Sequence, residues 1–155
     1  MFRGFTAAAL AALLVTGCGT STNTATTTST VAPAAAMHDW RQTVIPVVGR
    51  LSDAMNWIGG AAQSLDLADM RAACRELKSS ADELESKLPS PDQIVNSNIR
   101  SAVDSFGELS HVCLGLSPSS PDSEFAEVKS SREEAMDSLG RAVDRIKAVE
   151  NGGAS

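Results

Sequence analysis

Few residues in this sequence are able to do chemistry. The chain has three cysteines (Cys18, Cys74 and Cys113), two histidines (His38 and His111) and no tyrosine. A thiolate beside an imidazole can make a nucleophile and its base, or half of a zinc site, but either needs partners at fixed spacing. His111-Val112-Cys113 supplies two ligand types and no further pair follows. On a helix His111 stands two residues before Cys113, so if the cysteine faces inward the imidazole turns partly outward. His38 lies beside Asp39 and Trp40 at the start of a helical pattern. Glu108-Leu109-Ser110-His111 has the Glu-x-x-His spacing of di-iron bundles, which require that motif on two helices, and it occurs once. Glu133, Glu134 and Asp137 could collect a cation, but oxygens along one straight helix do not converge as calcium requires. No Gly-x-Ser-x-Gly, HExxH, phosphate-loop or dinucleotide motif is present. The sequence therefore predicts no metal, no cofactor and no enzymatic activity.

Cys18 belongs to a different kind of segment. Arg3 is the only charge in the first 38 residues, and Thr6 to Val15 form an apolar run of ten. A bilayer span needs roughly 20 apolar residues, whereas a signal-peptide core needs about 7–15. The run ends in Val15-Thr16-Gly17-Cys18. This tetrapeptide resembles the bacterial lipobox: an aliphatic residue, two small residues that let the signal peptidase reach the chain, and the cysteine to be lipidated. The resemblance covers residues 1–18. It implies a signal peptide over 1–17, a diacylglyceryl thioether on Cys18, and a lipoprotein held by its lipid anchor on the outer, extracytoplasmic face of the cell membrane. Two or three acyl chains, at ~0.8 kcal/mol per buried methylene, hold a protein there stably. Residues 18–36 follow, uncharged and mostly Thr, Ser and Ala. Such a composition cannot bury enough apolar area to offset its ordering entropy, so it reads as a disordered tether with a typical reach of roughly 25 Å.

The rest of the chain must position whatever the protein uses, and its pattern is helical from residue 37 to 150, with 151–155 as a frayed tail. Trp40, Val44, Val47 or Val48, Leu51, Met55 and Ile58 recur at steps of three and four, one face of a first helix. Pro46 inside that run predicts a kink, or a helix that begins nearer to it, and Gly59-Gly60 predicts its end. Trp40 and Trp57 read as core or end-plug residues. Leu67, Met70, Cys74, Leu77, Ala81, Leu84 and Leu88 alternate in steps of three and four, the most regular stripe of the chain, behind Asp66 as N-cap and ahead of Pro89 as stop. Ser90-Pro91-Asp92-Gln93 and Ser120-Pro121-Asp122 open the third and fourth helices with serine as the expected cap. The third stripe is Val95, Ile99, Ala102, Phe106, Leu109, Cys113 and Leu116. The fourth is Phe125, Val128, Ala135, Leu139, Ala142 or Val143, Ile146 and Val149, with Arg132 snorkelling outward. No period-two run or hairpin signal competes. The expected fold is all-α, an antiparallel up-down four-helix bundle.

Cys74 and Cys113 fall on the stripes of adjacent helices, and an exported protein matures where thiols oxidise, so they are expected to form one inter-helix disulfide; two buried free thiols are the alternative. A tight hairpin would leave them ~13 Å apart along the bundle axis, too far for a bridge. An extended Leu88-Pro89-Ser90-Pro91 connector would close that gap by letting the third helix overhang the second by about two turns. If Gly49 and Ala54 leave room, a small apolar pocket can form between the first and fourth helices. The chain carries 13 Lys+Arg against 19 Asp+Glu. That balance argues against nucleic acid and against charge-driven binding to anionic lipid. Nine arginines to four lysines, abundant alanine, and a Cys-bearing helix followed by Leu88-Pro89-Ser90-Pro91-Asp92 resemble the small helical lipoproteins of actinobacteria. The expected function is a helical interaction module acting on an envelope protein partner, with a carrier of a small apolar ligand as the alternative.

Overall fold

Four amphipathic stripes need to be buried against one another, and the computed structural model shows how they are. It describes Pro33–Gly152, which form α1 (Pro33–Ser64), α2 (Leu67–Ser86), α3 (Gln93–Gly115) and α4 (Asp122–Glu150), with no strand among the described residues. Each helix packs on two neighbours, α1 on α2 and α4, and α3 on α2 and α4, which is the square of an up-down bundle. Cys18 and the expected signal peptide lie outside the described residues.

The stripes of α2 and α3 are buried much as their spacing predicts. Met70, Cys74, Leu77, Ala81 and Leu84 face Val95, Ile99, Ala102, Phe106, Leu109, Cys113 and Leu116 in one core. Cys74 and Cys113 are bonded, their Cα atoms 6.3 Å apart. Cys74 lies twelve residues before the end of α2 and Cys113 twenty after the start of α3, or ~18 and ~30 Å at the helical rise. Level sulfurs therefore require α3 to start ~12 Å beyond the end of α2, the overhang of about two turns that the sequence predicts. Residues 87–92 connect the two helices across that offset.

Three local expectations are corrected. First, α1 is longer than predicted at both ends. It begins at Pro33, inside the segment read as tether, and Met37 in its second turn is fully buried. Proline suits a first helical position because its missing N–H has no intrahelical partner to lose. The helix runs on through Pro46, whose cost of about 3 kcal/mol is offset by burial of Val44, Val47 and Leu51 around it. It also passes Gly59 and Gly60, because stopping there would expose Ala61. The turn comes instead at Leu65, whose φ of 55° puts a branched side chain in the left-handed region. Second, the caps of α3 and α4 are displaced. Asp92, not Ser90, caps α3 by accepting from the Val95 N–H at 2.9 Å. Ser120 accepts from the Ser117 N–H at 3.0 Å in the loop, and α4 starts without a side-chain cap. Third, the first turns of α4 are less buried than their stripe implies. Phe125 is 45% exposed and Val128 half-buried, and the inward positions further along are Ser131, Ala135, Ser138 and Leu139. Arg132 is exposed, as expected.

Candidate functional site

Polar contacts outside the core set the lower end of the bundle. The connector is held by Asn96, a buried side chain whose Oδ1 accepts from the Ser90 N–H at 2.6 Å while its Nδ2 donates to the Ser90 carbonyl at 3.2 Å. Asp92 accepts from Arg145 of α4 through Nε (3.0 Å) and Nη2 (2.8 Å). The Arg145 guanidinium is the main reason the Asp92 carboxyl is held below its usual value; burial opposes it and the Val95 N–H assists it. The same pair raises Arg145. Trp40 Nε1 donates to the Lys87 carbonyl at 2.8 Å, tying α1 to the end of α2, so this indole plugs an end as expected. Trp57 is not a core residue: it is 42% exposed. Neither Asn96 nor Arg145 stands out in the sequence, since an Asn in a helix and an Arg among charges give no local signal of a long-range partner.

The sequence-selected chemical groups stay apart. His111 is exposed and borders a polar cleft of about 370 Å³ between α3 and α4, with Glu108, Glu124 and Glu127. His38 Nδ1 lies 3.6 Å from Glu150 Oε1 at the opposite end. Asp137 pairs with Arg141, and Glu133 lies 3.9 Å from Lys129. Among the described residues no three His, Cys, Asp or Glu side chains are placed to hold a metal ion. No described helix is long and apolar enough to cross a membrane.

What remains is a seam. The contact between α1 and α4 is the sparsest of the four helix pairs, and a groove opens at each end of it. The lower groove, about 240 Å³, has Val44, Val48, Leu139 and Ile146 on its walls and Ile99 of α3 among its lining. Ile45 and Val143, both exposed, stand at its edges, with Arg41 and Lys147. An apolar pocket thus forms between the helices that the sequence suggests, but not for the suggested reason. Gly49 faces open space and Ala54 is in the core, and neither lines it. The upper groove, about 590 Å³, runs between Ile58 and Gln63 of α1 and Phe125 to Arg132 of α4, with Leu109 of α3 among its lining. Comparison with protein-family models, curated proteins and solved structures finds no match to this chain. The seam's own chemistry is therefore the guide to what it does. It offers apolar surface accessible from outside, and it brings no nucleophile together with a base.

Proposed function

We propose that this chain is a lipid-anchored envelope lipoprotein whose helical domain is an interaction module for an extracytoplasmic protein partner. Anchoring is supported by the leader and by the likeness of Val15-Thr16-Gly17-Cys18 to a lipobox; on this reading Cys18 carries the lipid and the protein sits on the outer face of the cell membrane. The observation that carries the interaction reading is the α1–α4 seam. Apolar side chains that a self-sufficient bundle would bury, Ile45, Val143 and Phe125, stand exposed along it. Grooves of this kind, between two antiparallel helices, suit an amphipathic segment of a partner. The reading assigns no catalytic role, no cofactor and no nucleic-acid partner.

The carrier of a small apolar ligand is the second reading, favoured by the lining of the lower groove, where nine of eleven residues are uncharged and nearly all apolar. Its volume of about 240 Å³ falls below the ~300–1,000 Å³ usual for ligand pockets. The groove would admit a fragment rather than enclose a lipid.

Two measurements test the proposal. Membrane fractionation with labelled palmitate should show Cys18→Ala losing both the label and the membrane. A photo-crosslinking residue at Val143, in living cells, should capture one envelope protein reproducibly, while the same residue at the exposed Glu76 of α2 should not. Capture at both positions or at neither would remove the seam from the proposal.

A further inference from the structure

The charges along the seam do not follow the charge of the protein. The chain has 19 acidic residues and 13 basic ones, yet every charged residue lining the two grooves is a cation. Arg41 and Lys147 border the lower groove, and Lys129 and Arg132 the upper. The two lysines are held weakly. Lys147 lies 3.4 Å from Asp144 and Lys129 3.9 Å from Glu133, both exposed pairs of the kind worth ~0–1 kcal/mol. Arg132 forms no ion pair among the described residues, whereas Arg41 Nε is buried 3.0 Å from Glu150 Oε1 as an ion pair, which leaves Lys147 as the freer cation of the lower groove. By contrast, the α3–α4 cleft is bordered by three glutamates.

From this juxtaposition we infer that the seam binds an acidic amphipathic helix of the partner, its apolar stripe in the two grooves and carboxylates at both ends of the contact. The inference rests on the interaction-module reading and specifies the partner's chemistry. Three other occupants fit less well. The chain's own N-terminal segment has no acidic residue before Asp39, so it offers nothing to the cations. A second copy placed seam to seam would set cations against cations. A single-headed amphiphile carries charge at one end only, whereas Lys147 and Arg132 are fifteen residues apart on α4, or ~22 Å along the axis. A helix of about 15–18 residues spans that distance.

The test uses the full-length protein, extracted from membranes and reconstituted in phosphatidylcholine nanodiscs. The probe is a fluorescein-labelled 18-residue helix with Leu on one face and Glu flanking it; its twin carries Lys in place of every Glu. Fluorescence anisotropy should show the Glu peptide binding at least about tenfold more tightly than the Lys twin, with the gap narrowing as salt shortens the reach of the charges. Lys147→Glu and Arg132→Glu should each weaken the Glu peptide by about fivefold. Both are exposed positions, and unchanged circular dichroism would exclude misfolding. Equal binding of the twins, no binding of either, or indifference to Arg132→Glu would overturn the inference. Dodecanoate binding lost in Lys147→Glu but not in Arg132→Glu would overturn it in favour of a single-headed amphiphile. Capture at Val143 in cells of an envelope protein whose contacting segment is not acidic would also overturn it, while leaving the interaction module standing.

Discussion

Removing the Cys74–Cys113 bond should cost this domain much of its stability. The two residues are 39 apart in sequence, and loop-closure entropy for a loop of that length is worth about 4 kcal/mol. The helical domain Pro33–Gly152 has 120 residues, so its unfolding entropy near the midpoint is about 0.25 kcal/mol/K. A loss of about 4 kcal/mol therefore lowers Tm by about 15 °C, or the urea midpoint by about 2 M at an m-value near 2 kcal/mol/M. Both sulfurs are fully buried, so the loop constraint must be separated from packing. Reduced wild type keeps both sulfurs and loses only the bond; Cys74→Ala/Cys113→Ala loses the bond and the sulfur volume. Urea titrations followed by circular dichroism should place oxidised protein first, reduced protein about 2 M lower, and the double variant lower again by a smaller step. Superimposable curves for oxidised and reduced protein would refute the reasoning, because the bond would then constrain nothing in the unfolded chain. A peptide map in which both cysteines alkylate without reductant would refute it more directly.

Four further outcomes concern residues at the turns of the bundle. Asp92→Ala should destabilise by about 1–3 kcal/mol, losing a cap and the charged hydrogen bonds from Arg145. Because the folded state holds the Asp92 carboxyl below its ordinary 3.8, its contribution is present above that pH and is lost as pH falls through the folded value. The difference between wild type and Asp92→Asn should accordingly shrink on acidification; a difference that stays constant to about pH 2 would contradict this. Asn96→Ala strands the Ser90 N–H and carbonyl in a buried place and should cost about 2–3 kcal/mol, read as a lower urea midpoint with unchanged m. Leu65→Gly should stabilise by up to about 1 kcal/mol, since the φ of 55° costs a branched residue and nothing packs on a side chain that is 85% exposed; a loss of stability on that change would show the turn is held differently.

Legibility in the sequence tracked how local the deciding physics was. The stripes of α2 and α3 were readable because steps of three and four put Leu77, Leu84, Ile99 and Phe106 on one face whatever they meet. The overhang was readable because a disulfide's short reach converts residue counts into a distance. The span of α1 was not. Pro46 and the Gly59-Gly60 pair are local stop signals, overruled by burial of Leu51, Ile58 and Ala61 against other helices. Its true end, Leu65, carries no turn signature at all. Ser90 and Asp92 are both good caps two residues apart, and Arg145 on a distant helix made Asp92 the better placed. Phe125 continues the apolar spacing of α4, but it lies at an end where α1 and α4 do not close. For the candidate site, the helix pair was legible and the lining was not, because grooves are made by what neighbouring helices leave unfilled.

The staple and the seam lie on opposite sides of the square. The bond joins α2 to α3, and the sparse contact joins α1 to α4. Mechanically the domain is a pair of jaws: hairpin α1–α2 and hairpin α3–α4, joined at the back by the connector, by a packed α2–α3 face and by the disulfide as a rivet, and held at the front by side chains alone. Opening the front breaks few contacts and leaves the rivet intact, so an occupant can spread the jaws without unfolding the protein. Cutting the rivet leaves the connector and the packed α2–α3 face in place but removes the one covalent lock on the offset between those helices; the ~22 Å between Lys147 and Arg132 is set by α4 alone and would persist, while the register of that helix against α1 would loosen.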